Sequence, residues 1–157
     1  MWKFYFLGMF FILNCNSFEL KPITSDQILK EVDAYKGDKA VLVNIWATWC
    51  KPCIEEFPMI LDLGKSEKKL KVFFVSADFL DNKIDVKNFL IEQGLEKESF
   101  IKNQKDQSFI DGIHEDWTGA LPFTILFAKN TGKVVDYWEG MKSKKEFLEA
   151  IKKSIQM

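Results

Sequence analysis

Two kinds of hydrophobic pattern alternate along this chain of 157 residues. Continuous apolar runs of strand length occupy 40–47 and 71–77, as expected of parallel strands covered on both faces. Two more, 123–128 and 133–138, are joined by Lys129-Asn130-Thr131-Gly132, a hairpin signal closed by Gly140. Between them, apolar residues recur at helical spacing. Thr24 or Ser25 can cap a helix carrying Ile28, Leu29, Val32 and Tyr35, broken at 36–39. A helix over about 51–64 contains Pro58 and leaves through Gly64 and a solvated Lys/Glu run. The next, over about 83–93, carries Ile84, Val86, Phe89 and Leu90 and stops at Gly94. Phe109, Ile110 and Ile113 mark the inward side of a helix over about 106–115, which leaves His114 on an exposed surface. A last helix, about 143–155, buries Phe147, Leu148, Ile151 and Ile155. Residues 95–105 are less readable, with Ser99-Phe100-Ile101 as a candidate short strand. The order β-α-β-α…β-β-α predicts an α/β fold, a mixed central sheet with helices on both faces.

Composition adds a bound and a compartment. An apolar content of 47%, with 15% aromatic, supplies the core of one domain. The net charge of −1 and the lack of a basic stripe argue against a nucleic-acid partner. Lys3 followed by the apolar run 4–13 is too short to span a bilayer comfortably, but it suits the core of a signal peptide. The run ends at Ile12-Leu13-Asn14-Cys15, which resembles a bacterial lipobox with Asn14 in place of the usual small residue. The expected organisation is a signal peptide over 1–14, a lipidated tether over 15–23 starting at an acylated Cys15, and one domain over 24–157. An uncleaved anchor and an ordinary signal peptide are the alternatives. Such a protein faces the periplasm, held to a membrane by its lipid, where disulfides persist.

The candidate chemistry lies at a strand-to-helix junction, Trp46-Ala47-Thr48-Trp49-Cys50-Lys51-Pro52-Cys53. Two cysteines at this spacing are the signature of a redox dithiol. A helix begins with unpaired N–H groups and partial positive charge, which stabilises a thiolate on Cys50, and Lys51 adds a cation. Cys53, one turn on, can close a small disulfide with it, and Pro52 is tolerated in the first turn. Cys50 is therefore the candidate attacking thiol and Cys53 the resolving one. A zinc half-site and a static disulfide are the alternatives. Zinc wants about four ligands, whereas the chain has three cysteines and one histidine.

At these residues the chain resembles the thioredoxin superfamily, in particular the TlpA/ResA-type thiol–disulfide oxidoreductases of bacterial envelopes. The likeness runs over about 25–155. It rests on Val43 to Cys53, Glu56-Phe57-Pro58, Val75-Ser76-Ala77-Asp78, Leu121-Pro122-Phe123-Thr124 and Gly132-Lys133-Val134-Val135. It implies a thioredoxin-like three-layer sandwich with an αβ insertion at 79–105. It implies a cis Leu121–Pro122 bond facing the cysteines, with the Leu121 backbone free to pair with an extended substrate. Glu56, three residues after Cys53, would assist proton movement at the resolving thiol. Asn44 stands where many thioredoxins carry a buried Asp; it cannot ionise, so the proton role shifts to Glu56 or water. Trp49 is a candidate platform beside Cys50, Trp46 a packing residue, and Trp117 falls between substrate groove and core. No bound cofactor or metal is required. The partners implied are disulfide-bearing exported proteins, for example apocytochrome c, and a membrane dithiol electron donor. The same residues would serve oxidation equally well. A thiol peroxidase and a non-enzymatic metal- or haem-handling lipoprotein are the rival functions. The first lacks the proline such sites carry ahead of the attacking cysteine, and the second predicts stoichiometric uptake without disulfide reduction.

Overall fold

The central strand β2 (Ala40–Trp46) is buried at all seven positions, and its side chains alternate between two cores. Leu42 and Trp46 enter one, while Val41, Val43 and Ile45 enter the other. A computed structural model describes residues 18–157 of the chain. In it β2 lies parallel to β3 (Leu70–Ser76) and antiparallel to β5 (Phe123–Phe127). Strands β1 (Glu19–Ile23), β4 (Glu98–Lys102) and β6 (Val134–Glu139) complete a mixed sheet in the order β1-β4-β3-β2-β5-β6.

Helices α1 (Ser25–Asp33) and α4 (Asp106–Ile113) cover one face through Ile28, Val32, Phe109 and Ile113. The opposite face carries α2 (Lys51–Ser66), α3 (Lys83–Glu92) and α5 (Lys144–Gln156), through Phe57, Ile60, Leu90 and Phe147. Thr24 and Ser143 each close a capping box, with Gln27 and Glu146, satisfying orphan N–H groups of α1 and α5. The three-layer α/β architecture expected from the patterning is therefore present. All four parallel strands point the same way, so the end of β2 and the start of α2 meet at one rim of the sheet.

Several particulars differ from the sequence expectation. Residues 19–23, expected in the tether, form β1, paired in parallel with β4 from Glu19↔Glu98 to Ile23↔Lys102. Leu20 and Ile23 are each 4% exposed, and Lys21 bonds Glu98 at 2.5 Å. Pro22 is tolerated because β1 is an edge strand. Residues 19–23 are thus part of the sheet rather than of a tether, while the leader and Cys15 lie outside the described residues. The candidate strand near Ser99 is β4, inserted between β1 and β3, with the Ser99 hydroxyl donating to the Phe74 carbonyl at 2.9 Å.

Gly64 is not an exit but an interior residue of α2. A Cβ there would lie 2.8 Å from Val72 Cγ2, so its absence lets the helix approach β3 closely. Leu148 is exposed, and Ala150 and Ser154 take the buried face of α5 beside Phe147 and Ile151. Ile84 is exposed as well. His114 is not on an exposed helix: α4 ends at Ile113, and the imidazole stacks on Tyr137 at 3.9 Å between ring centres.

Candidate dithiol site

The approach to the cysteines is tied down by Asp78. From the end of β2 the chain turns through Ala47–Cys50, with the Cys50 N–H donating to the Ala47 carbonyl at 3.1 Å. The Thr48 N–H and hydroxyl donate to Asp78 at 2.9 and 2.6 Å. The Ser76 hydroxyl donates to the same carboxylate at 2.8 Å. Asp78 is 1% exposed, so its charge is held by these donors rather than by water. In the sequence Asp78 stands out only as the last residue of the Val75–Asp78 likeness, with no task of its own. The available signal was an acid placed directly after a buried strand. The Thr48 hydroxyl is thereby fixed on this anchor.

Cys50 is the N-cap of α2, and the Cys53 N–H donates to its sulfur at 3.3 Å. That N–H is among the helix-start donors with no partner inside the helix, and it favours negative charge on Cys50. Pro52 sits in the first turn, where its missing N–H costs nothing. The two sulfurs are joined in a disulfide, with Cα atoms 5.3 Å apart. Cys50 is 6% exposed and Cys53 1%, which leaves Cys50 as the more accessible residue of the pair. Lys51 and Glu55 face solvent as a loose pair at 3.8 Å. Below the helix, Trp46 is fully buried against Phe57 and Phe89, and Phe57 stacks on Phe74 with ring centres 4.0 Å apart. This aromatic cluster seats the first turns of α2 on the sheet.

Glu56 lies one turn further along α2 and is 3% exposed. Burial pushes its carboxyl up to about 7, against the opposing pull of the Lys142 backbone N–H and the Asn44 amide. Asn44 donates to Glu56 Oε1 at 3.3 Å and to the Thr124 hydroxyl at 3.1 Å, so it links α2 to β5. The other oxygen, Oε2, makes no hydrogen bond of normal geometry among the described residues, so the Lys142 N–H acts on the carboxyl only as a nearby dipole. A buried carboxyl poised near neutrality with one open oxygen can accept and return a proton.

The Leu121–Pro122 bond is cis. Phe123 pairs with Ile45, which sets Pro122 at the rim where β2 ends. Its loop is fastened to β6: Glu139 accepts from the Thr118 N–H and hydroxyl at 2.6 and 2.8 Å. Tyr137 donates to Asp116 at 2.5 Å. Trp117 serves both groove and core. It is 5% exposed and stacked on Phe123, its indole donating to the Ala120 carbonyl at 2.9 Å, and one side of it lines a groove. Trp49, 68% exposed, and Leu121 line the same groove. The structure therefore brings Cys50, Cys53 and Glu56 together on α2 and gathers Trp49 and Leu121 beside them. Among the described residues no three His, Cys, Asp or Glu side chains cluster as metal ligands would.

The chain matches the AhpC/TSA family over residues 14–150. A thiol-disulfide oxidoreductase ResA from Bacillus thuringiensis (strain Al Hakam) is 36% identical over 124 residues, 78% of this chain and 67% of the relative. A thioredoxin-family thiol:disulfide interchange protein from Chlorobium tepidum TLS superposes with a TM-score of 0.64 at 25% identity, over 78% of this chain and 83% of that one. The exposed lipoprotein thioredoxin Etrx1 of Streptococcus pneumoniae shares the fold, with a TM-score of 0.59 at 21% identity over 77% and 88%. With the dithiol at a helix start, a cis proline at the same rim and these relatives, the chain belongs to the AhpC/TSA family and is a thioredoxin-like thiol–disulfide oxidoreductase of the ResA type.

Proposed function

We propose that the protein reduces disulfides of exported proteins in the bacterial cell envelope, apocytochrome c being one substrate of the right kind. The thiolate of reduced Cys50 attacks one sulfur of the partner disulfide, whose S–S bond breaks and releases the other sulfur as a thiol. Cys53 then attacks the Cys50 sulfur, the mixed disulfide breaks, and the partner leaves with both sulfurs reduced. Two electrons pass to the partner and the Cys50–Cys53 bond forms. Glu56 takes the proton that Cys53 sheds, since its buried carboxyl is poised near neutral pH. A membrane dithiol protein returns the electrons, and an acylated Cys15 holds the domain to the membrane, facing the periplasm. No cofactor enters this cycle.

The observation that carries the proposal is the Cys50 sulfur at the N-cap of α2, accepting the Cys53 N–H and joined to Cys53. The reductive direction rests on the family likeness, because the geometry passes electrons either way. The test is trapping in the native envelope with Cys53→Ser, which leaves the mixed disulfide unresolved. Partners should accumulate on Cys50, carry reducible cysteine pairs and vanish with Cys50→Ser. Partners that persist without Cys50 would overturn the assignment.

A further inference from the structure

The groove beside the disulfide has a composition that the exchange chemistry alone does not require. It holds about 160 Å³, and an apolar cavity of about 150 Å³ in another protein takes up benzene. Its inner walls are Phe109 and Trp117, both buried, and its rim is Trp49 and Phe79, 68% and 66% exposed. Lys102, 7% exposed, lines it from the end of β4, and Asp106 lines it beside the lysine. Its ammonium pairs with Asp106 and lies 5.1 Å from the centre of the Phe79 ring. Two large aromatic side chains facing water across a slot mark a surface that is covered in use.

What covers it follows from the reaction. Any partner must bring a sulfur to Cys50, and Trp49, the residue just before it, is part of the groove. Leu121, before the cis proline, also lines the groove. A partner chain crossing Cys50 toward Leu121 therefore runs along the groove mouth. We infer that the groove holds an aromatic side chain lying within two residues of the partner cysteine that Cys50 attacks. Aromatic walls accept a ring edge-on or stacked. The Lys102 ammonium adds an attraction to a ring face that an aliphatic side chain does not receive. The inference rests on Cys50 as the attacking thiol and names the sequence class of its substrates.

The test uses disulfide-bonded peptides identical except at the positions flanking the attacked cysteine, which carry Phe, Leu or Ser in turn. For the wild-type protein, kcat/KM with Phe at one of these positions should exceed that with Ser by at least about tenfold, the scale on which one apolar group is sorted by a pocket. Phe79→Ala should bring the Phe-to-Ser ratio to about twofold or less. Lys102→Met should erase the preference of Phe over Leu and keep that of Leu over Ser. Ratios within one variant cancel any general loss of folding or of thiol reactivity. Turnover of all peptides with a wild-type ratio near one overturns the inference and leaves the exchange mechanism standing. A ratio that Phe79→Ala does not change also overturns it. No turnover of any peptide sinks both.

Discussion

Replacing Glu56 with glutamine removes a titrating group while keeping its shape and its acceptor for the Asn44 amide, 3.3 Å away. Burial raises the folded carboxyl from 4.5 to about 7, so the folded protein holds this proton more tightly than the unfolded chain does. The sign follows: the stability that this group contributes is fully present below about pH 4.5, is lost as pH rises to about 7, and stays constant beyond. At about 1.4 kcal/mol per pH unit, over about 2.5 units, the loss is about 3 kcal/mol. Neutral glutamine has no such term. The assay is urea unfolding of the oxidised protein, in which Cys50 and Cys53 do not titrate. The stability difference between Glu56→Gln and wild type should be about 3 kcal/mol more in the variant's favour at pH 8 than at pH 4. Every other titrating group is shared and cancels. A difference that is the same at both pH values would show an ordinary carboxyl and remove Glu56 as the proton acceptor.

Asp78→Ala strands the Thr48 N–H and hydroxyl and the Ser76 hydroxyl. Urea unfolding should show a loss of about 2–4 kcal/mol, the cost of orphaned buried donors around a removed charge, and a loss below about 0.5 kcal/mol would refute the anchor. Disulfide exchange by the same variant should slow by about tenfold at saturating substrate, because the Cys50 loop is no longer held. Gly64→Ala drives a Cβ to 2.8 Å from Val72 and should cost about 1–3 kcal/mol in thermal unfolding. Val72→Ala should recover part of that loss in a double-mutant cycle, whereas strictly additive losses would contradict the contact.

How much of this was legible depended on how far apart the cooperating residues lie. The strand at 40–47 could be read because it is nearly all apolar, and the start of α1 because a cap at Thr24 or Ser25 is a local signal, whereas the full capping boxes at Thr24 and Ser143 came only with the structure. The dithiol was equally local. Strand β1 was hidden because five residues with a proline show little periodicity; its pairing with β4 some eighty residues later makes it a strand. Asp78 acts on Thr48 thirty residues earlier, a tertiary contact that no local pattern announces. Asn44 was readable as a residue that cannot ionise. Its bridge between Glu56 and Thr124 needed β5 laid beside β2. Leu148 was misplaced because Ala150 and Ser154, small enough to sit against the sheet, turned the buried stripe of α5 away from it.

The most direct trial of the account is catalysed reduction of a protein disulfide, such as that of insulin, with a small dithiol as electron source. Wild-type protein should accelerate it, and joint replacement of Cys50 and Cys53 by alanine should return the rate to that of the dithiol alone. Undiminished turnover in the doubly substituted protein would contradict the claim that electrons pass through this sulfur pair.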